Sequence, residues 1–169
     1  MEVKENRVLL MLGSNTKDAS VAMSEAMALL RMECEICLIG SQWKSVAWGF
    51  AGPAFLNQVV EVEWKYSLDD LLKLALRVEK QLGRIRNPNA TTYENRRMDI
   101  DLILWSGGTY RSEFLEVPHP RMPMRRFVVK PLAEHWGHWV HPVQNLSVQQ
   151  LLAQCGDKNL VHLIQTTEN

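Results

Sequence analysis

The apolar patterning of this chain predicts an α+β fold, a mostly antiparallel sheet with helices packed on it. Three observations carry that prediction. Val8-Leu9-Leu10-Met11-Leu12 is a short, continuous apolar run of strand length, closed by the turn tripeptide Gly13-Ser14-Asn15. The stretch from Phe55 to Trp64 alternates with a period of two. Two segments with helical apolar spacing separate these runs from their neighbours. The resulting order of strand, helix, two strands, helix and strand is that of a ferredoxin-like α/β sandwich with helices on one face of the sheet.

Taken in order, Asp18 is placed to cap a helix reaching about Met32, in which Ala19, Ala22, Met23, Ala26, Leu29 and Leu30 keep helical spacing. Ile36 to about Val46 reads as the second strand, followed by a loop punctuated by glycine and proline, Trp48 to Pro53. In the third strand, Leu56, Gln58, Val60, Val62 and Trp64 share the face that packs on helices. Phe55, Asn57, Val59, Glu61 and Glu63 share the other, partly open face. Phe55 beside Asn57 admits two readings: a ring covered by the neighbouring loop, or a stacking surface and amide for a flat heterocycle.

Ser67-x-x-Asp70 opens the second helix, which runs to Leu82 with Gly83 at the C-terminal cap, and its apolar stripe is expected at Leu68, Leu72, Ala75, Leu76 and Leu82. Glu79 falls on that stripe in the last turn, where the helix dipole disfavours an anion, so it requires a partner. A ligand donor and Arg84 fit that requirement equally. From Arg84 to Arg96 the chain is polar, the length and composition of a phosphate-gripping lid. Val117-Pro118-His119-Pro120-Arg121 is a rigid loop that fixes the direction of one histidine. Pro131 to Glu134 is expected to be a short helix with proline at its first position, and Leu146 to Cys155 a last one.

The last major strand carries Arg96-Arg97-Met98-Asp99-Ile100-Asp101-Leu102-Ile103-Leu104. Asp99 and Asp101 point to the same face of this strand, and two like charges side by side need a compensating cation or proton. Mg²⁺ held by one or two carboxylates and substrate phosphates is a common solution, and Arg96 and Arg97 suit a polyphosphate. A solvated edge strand would also tolerate the pattern.

With 169 residues, 46% hydrophobic and 22% charged, the chain has the composition of an ordinary globular protein, and 1–169 is expected to form one domain. Its 19 basic and 19 acidic residues balance, which argues against a broad nucleic-acid interface. The charged start, Met1 to Arg7, lacks the apolar core of a signal peptide, and no apolar run has bilayer-spanning length. A cytoplasmic protein with no membrane partner is expected. Cys34-Glu35-Ile36-Cys37 has the spacing of half a zinc site without the other half, and buried structural thiols are expected instead. His135, His138, His141 and His162 are expected in packing and surface roles. The chain lacks GxxxxGK[ST], GxGxxG after a strand, HRD, DFG and GxSxG elements. What remains, two carboxylates, several arginines, a fixed histidine and an aromatic with an amide, fits metal-dependent phosphoryl or pyrophosphoryl transfer.

Five ordered segments resemble the hydroxymethyl-dihydropterin pyrophosphokinase family: LGSN (Leu12 to Asn15), FLNQVV (Phe55 to Val60), LGRIR (Leu82 to Arg86), RRMDIDLILW (Arg96 to Trp105) and VPHPRMPMRRFVVKPLAE (Val117 to Glu134). The resemblance implies a folate-pathway enzyme that moves pyrophosphate from ATP to a pterin alcohol, releasing AMP. It implies two Mg²⁺ ions on Asp99 and Asp101, with Arg84 and Arg96 joining those aspartates as catalytic residues. Phe55 and Phe127 would sandwich the pterin, with Asn57 and backbone groups near Ser45 and Val46 at its edge. Glu79, Arg84, Ile100, His119 and Arg125 would face ATP. The resemblance thus favours the ligand readings of Phe55 and Glu79. Leu76 stands where the family often has Gln, Tyr93 is the nearest candidate for the usual lid Trp, and Pro120 replaces a Tyr of some members. With no room for a second fused enzyme, the chain is expected to act alone, as a monomer on small molecules. Two rival classes are a non-catalytic pocket-bearing module and a metal-dependent nucleotidyl transferase or nuclease; retention of both aspartates disfavours the first and neutral charge the second.

Overall fold

The computed structural model describes residues 6–47, 51–84, 88–89 and 95–164. Strand β1 (Arg7–Ser14), helix α1 (Ala19–Arg31), strands β2 (Glu35–Ser45) and β3 (Phe55–Glu63), helix α2 (Leu68–Gln81) and strand β4 (Asp99–Trp105) follow the expected order. A two-residue hairpin comes next, β5 (Tyr110–Arg111) and β6 (Glu116–Val117), then a 3₁₀ turn at Met122–Met124 and helix α3 (Arg126–His135). A second hairpin, β7 (Val140–His141) with β8 (Leu146–Ser147), leads to α4 (Val148–Gln154) and β9 (Val161–Leu163). The main sheet has the order β4-β1-β3-β2-β9 with every pair antiparallel. β1 is an interior strand between β4 and β3 with a core on each face, so its residues are buried from both sides, which is why its apolar run is unbroken.

Both faces of this sheet carry a core, a correction to the expectation of helices on one face. Val8, Leu10, Leu12, Val60, Val62, Ile100 and Leu102 pack under α1 and α2. Leu9, Met11, Val59, Ile103 and Leu104 pack against Val128, Val129, Leu132 and Trp136 of the α3 region and Val148 and Leu151 of α4. A register shift between Leu9 and Leu10 in the β1–β4 pairing brings Ile103 and Leu104 into the same second core. On the partly open face of β3, Asn57 and Val59 are buried while Phe55 at one end and Glu61 and Glu63 at the other stay half-buried.

Two side-chain anchors hold α3 to the sheet. Glu134 accepts from the Ser41 amide at 3.0 Å, from the Ser41 hydroxyl, and from Trp43 Nε1 at 3.3 Å. Although burial pushes the Glu134 carboxyl up, these donors outweigh it and hold the group below its ordinary range. Trp136 Nε1 donates to Glu61 at 2.6 Å. Helix α3 begins at Arg126, so Pro131 sits inside it rather than at its first position. Pro131 is tolerated because it is buried in the second core, and its missing N–H removes only the bond that would reach the Phe127 carbonyl.

Other local expectations change in detail. In α2 the buried positions are Leu68, Leu71, Leu74, Ala75, Val78 and Glu79, while Leu76 is exposed and Leu72 half-buried. The stripe is rotated because α2 covers β1 and β4 together with α1, and that choice of neighbours is tertiary. Ser67 caps α2 by accepting from the Asp70 amide at 3.1 Å, and Ser147 forms a full capping box with Gln150 on α4. Asp18 makes no side-chain cap on α1; its carboxylate is held elsewhere, by Thr16 and Arg97. Cys34 and Cys37 are both partly covered, and burial pushes the Cys34 thiol up to about 11. Trp48, Arg86 and Tyr93, singled out in the sequence, lie outside the described residues.

Candidate active site

The register across the sheet assembles the site. Gly13 of β1 pairs with Asn57 of β3 on one side and Asp99 of β4 on the other, and Met11 pairs with Asp101. Directly opposed residues in an antiparallel ladder share a face, so Asp99, Gly13 and Asn57 form one row and Asp101 and Met11 the next. At Gly13 a Cβ would stand 3.5 Å from Asn57 Oδ1 and 3.8 Å from the Phe55 ring, so hydrogen there keeps the row low and leaves space above it. Helices α3 and α4 cover the same face only as far as Val59. The uncovered end is a cleft lined by Met11, Gly13, Ser45, Val46, Phe55, Asn57, Arg96, Asp99, Asp101, Arg125 and Phe127.

One wall of this cleft is apolar and flat, the other charged. Phe55 starts β3 and Phe127 lies in the first turn of α3, both half-buried. Asn57 is 2% exposed, and its Nδ2 donates to Ser45 Oγ at 2.8 Å, which fixes the amide plane at the floor. The Arg125 guanidinium stacks on Phe127 at 5.6 Å from the ring centroid. All five residues expected around a heterocycle, Ser45, Val46, Phe55, Asn57 and Phe127, are brought together.

At the charged wall, a helix terminus and a strand edge meet. Gly83 adopts φ +91°, which lets the Arg84 amide donate to the Glu79 carbonyl at 3.0 Å and the Gly83 amide to the Lys80 carbonyl at 3.0 Å. This closing motif turns Arg84 back over α2. Its Nη1 then meets Glu79 Oε2 at 2.7 Å and also pairs with Asp99. Arg96 Nη1 reaches the other Asp99 oxygen at 2.9 Å. Glu79 is 3% exposed, and its Oε1 accepts from the Ile100 amide at 2.9 Å on the outer edge of β4. The partner required for Glu79 is thus Arg84 together with a backbone N–H.

Asp101 differs from Asp99. Its carboxylate is open to the cleft, and it has no hydrogen bond or salt bridge among the described residues. Protein around it and the neighbouring Asp99 charge push its carboxyl above the usual range, against Arg125, Arg84 and Arg96, which pull it down. A carboxylate aimed into a cleft with no donor, beside a second one, is the donor set for a hard divalent cation.

A second cleft opens on the far side of Asp101, lined by Leu72, Ile100, Asp101, Leu102, Phe114, Leu115, Glu116, His119 and Pro120. Asp69 of α2 holds its outer wall through Tyr110 at 2.8 Å and Ser112 at 2.7 Å. The His119 amide donates to the Ile103 carbonyl at 2.9 Å, and His119 Nδ1 accepts from the Arg121 amide at 3.2 Å. Burial and the charges of Arg125 and Arg121 hold the His119 ring below its ordinary pKa, so it is neutral at pH 7 and carries its proton on Nε2. Of the described residues lining the two clefts, only Asp101 lines both. Sequence patterning did not reveal Leu72, Phe114 and Leu115 as wall residues, because they come from two segments distant in sequence with no shared motif.

Arg97, expected beside a polyphosphate with Arg96, points away and pairs with Asp18 and Glu25 on α1. The histidine-rich segment also stays outside the site: His135 packs edge-on against Trp136 and meets Glu134 at 3.5 Å, while buried His141 accepts from the Val143 and Gln144 amides. Among the described residues no cluster of three or more His, Cys, Asp or Glu is placed to hold a metal.

A ferredoxin-like sandwich in which Asp101 lies between an aromatic, amide-floored cleft edged by Arg96 and Arg125 and a second cleft that holds a neutral histidine fits the class of phosphoryl-transfer enzymes. Comparison with known proteins narrows this. The family model described as 7,8-dihydro-6-hydroxymethylpterin-pyrophosphokinase (HPPK) matches residues 9–136. A Porphyromonas gingivalis protein named 2-amino-4-hydroxy-6-hydroxymethyldihydropteridine pyrophosphokinase is 36% identical over 138 residues, covering 80% of this chain and 93% of its own. An Aquifex aeolicus protein of the same name is 34% identical over 137 residues, covering 80% and 84%. The solved structure of Plasmodium falciparum HPPK-DHPS A437G has a similar fold, with a TM-score of 0.72 at 13% identity. That match covers 90% of this chain and 46% of the other, so this chain spans less than half of it. The chain belongs to the 7,8-dihydro-6-hydroxymethylpterin-pyrophosphokinase family, and it is an enzyme of that class.

Proposed function

We propose that this chain transfers the pyrophosphoryl group of ATP to the hydroxymethyl oxygen of 6-hydroxymethyl-7,8-dihydropterin, a step of folate biosynthesis. The alcohol oxygen bonds to the β-phosphorus as the bond from that phosphorus to the α,β-bridging oxygen breaks. AMP leaves with that oxygen, the pterin diphosphate forms, and the hydroxyl proton is released. The single observation that carries this reading is the position of Asp101 between the two clefts, where two substrates lying one in each would meet.

Phe55 and Phe127 hold the pterin ring between them, and Asn57, fixed by Ser45 and flanked by Val46, reads its polar edge. Ile100 and Leu72 line the nucleotide cleft, with Glu79 holding Arg84 on its border. His119 donates from Nε2 to a phosphate oxygen, and Arg125 adds charge where the two clefts join. Arg84 and Arg96, which neutralise Asp99 here, turn that charge to the developing negative charge on the phosphates. Asp99 and Asp101 are the residues that would hold two Mg²⁺ ions. When bound, those ions neutralise phosphate charge and orient the attacking oxygen. Two clefts of small-molecule size and balanced charge support action on small molecules rather than on a nucleic acid. Among the described residues no helix is long and apolar enough to cross a membrane.

Incubation with MgATP and the pterin alcohol is expected to release AMP in step with pterin diphosphate, and to release none when the alcohol is omitted. Pyrophosphate release, or AMP formed without the alcohol, would reject the reading in favour of nucleotidyl transfer or simple hydrolysis. Asn57→Ala is expected to raise KM for the pterin alcohol by about 10-fold or more, the cost of about 1.4 kcal/mol for lost hydrogen bonds at a buried edge. An unchanged KM in that variant would remove the pterin from this cleft.

A further inference from the structure

The two arginines that precede the acidic pair part company. Arg96 faces Asp99, while Arg97 turns to the other side of the chain. Arg97 Nε donates to Asp18 at 2.9 Å, its Nη2 meets Glu25 at 2.8 Å, and its Nη1 donates to the Leu82 carbonyl at 3.2 Å. Asp18 is the residue before α1, Glu25 lies in the middle of α1, and Leu82 ends α2. One guanidinium therefore ties the segment before β4 to α1 and to the end of α2.

Its position in the chain gives this junction a consequence. Leu82 stands two residues before Arg84, and Arg97 stands one residue after Arg96. Arg97 thus fastens together the two backbone points from which the Asp99-binding arginines depart. Asn15 holds the same region from the opposite side. Its Oδ1 accepts from the Arg96 amide at 2.7 Å, and its own amide donates to the Arg96 carbonyl at 3.2 Å. Thr16 and Arg97 keep the Asp18 carboxyl below its ordinary range.

Exposed ion pairs contribute little stability one at a time, and the Asp18 and Glu25 side chains are each 47% exposed. Geometry is the larger contribution. A guanidinium presents its donors in a rigid fork, and three acceptors on two helices, α1 with its N-cap and the end of α2, fix its plane. A displacement of about 1 Å in groups that meet a transition state costs on the order of 100-fold in rate.

We infer that Arg97 is a positioning residue for pyrophosphoryl transfer, setting the separation of Arg84 and Arg96 around Asp99. This rests on the proposed reaction and adds a residue to it. The test is the single-turnover rate of AMP formation, with KM for the pterin alcohol measured beside it. Arg97→Ala is expected to lower that rate by about 10-fold, a fraction of the loss expected for direct misplacement, with KM changed less than about twofold. Arg97→Lys, which keeps one charge but not the fork, is expected to recover part of the loss. Arg77→Ala removes another pair between α1 and α2, to Glu33 at 3.3 Å, and is expected to keep the wild-type rate. A wild-type rate in Arg97→Ala, or an equal loss in Arg77→Ala, overturns the inference. Should Arg97→Ala fail to fold, Asp18→Asn must show a smaller loss in the same direction, and an unchanged rate there overturns it too. If the wild-type protein forms no AMP, the proposed reaction itself fails, an outcome distinct from an active wild type matched by its variant.

Discussion

Asp101→Asn is expected to lower turnover by about 10³-fold or more while leaving the fold intact, because it removes a cleft-facing charge that the surrounding donors do not replace. Its effect on stability has the opposite sign from most buried-site substitutions. The Asp101 carboxyl is held above its unfolded value by burial and by Asp99. Between the two values the folded chain carries a proton that the unfolded chain has lost, so stability falls as pH rises through that window. Above the folded-state value the wild-type fold bears the full cost of the second charge, and asparagine relieves it. Thermal melts in chelator are therefore expected to show Asp101→Asn at or above the wild-type Tm. Added Mg²⁺ is expected to raise Tm in the wild type and not in the variant. Near-normal turnover, or equal Mg²⁺ stabilisation of both proteins, would contradict the role given to this residue.

Glu79→Ala is expected to be the most destabilising single change in the site, by about 3 kcal/mol, the cost of leaving the buried Ile100 amide without an acceptor and Arg84 with Asp99 as its remaining carboxylate partner. Glu79 and Arg84 side chains are 4% and 13% exposed, so solvent cannot take over the pairing. For a chain of this length such a loss is a Tm drop of roughly 10 °C. Glu79→Gln keeps an acceptor for Ile100 while losing the charge, so it should recover much of the Tm and little of the rate. A Glu79→Ala protein within about 1 kcal/mol of wild type would show that the pair is not a structural hinge of the site.

Much of the site was legible before any tertiary contact was known. The spacing of Asp99 and Asp101 places both on one face of any strand, and Phe55 and Asn57 share a face by the same rule. Glu79, an acid on an apolar stripe at a helix C-terminus, marked itself as requiring a partner. Arg97 was not legible: being adjacent in sequence to Arg96 says nothing about direction where the chain enters a strand irregularly. The rotation of α2's buried stripe from Leu72 and Leu76 to Leu71, Leu74 and Val78 was hidden for a related reason. Several nearly equivalent leucine stripes fit one helix, and only the neighbour chooses among them.

By itself the amino-acid order determined the succession of six main elements, the caps of α2, and the facing of the acidic pair, because all of these follow from backbone periods acting over a few residues. Only the folded chain decided that α3 and α4 build a second core on the same face as the site, stopping at Val59 and leaving the Phe55 end uncovered. It alone set Asp101 between two clefts and turned Arg97 toward α1. These features depend on which segments distant in sequence come to lie side by side, and that is chosen by the burial of whole surfaces rather than by any local period.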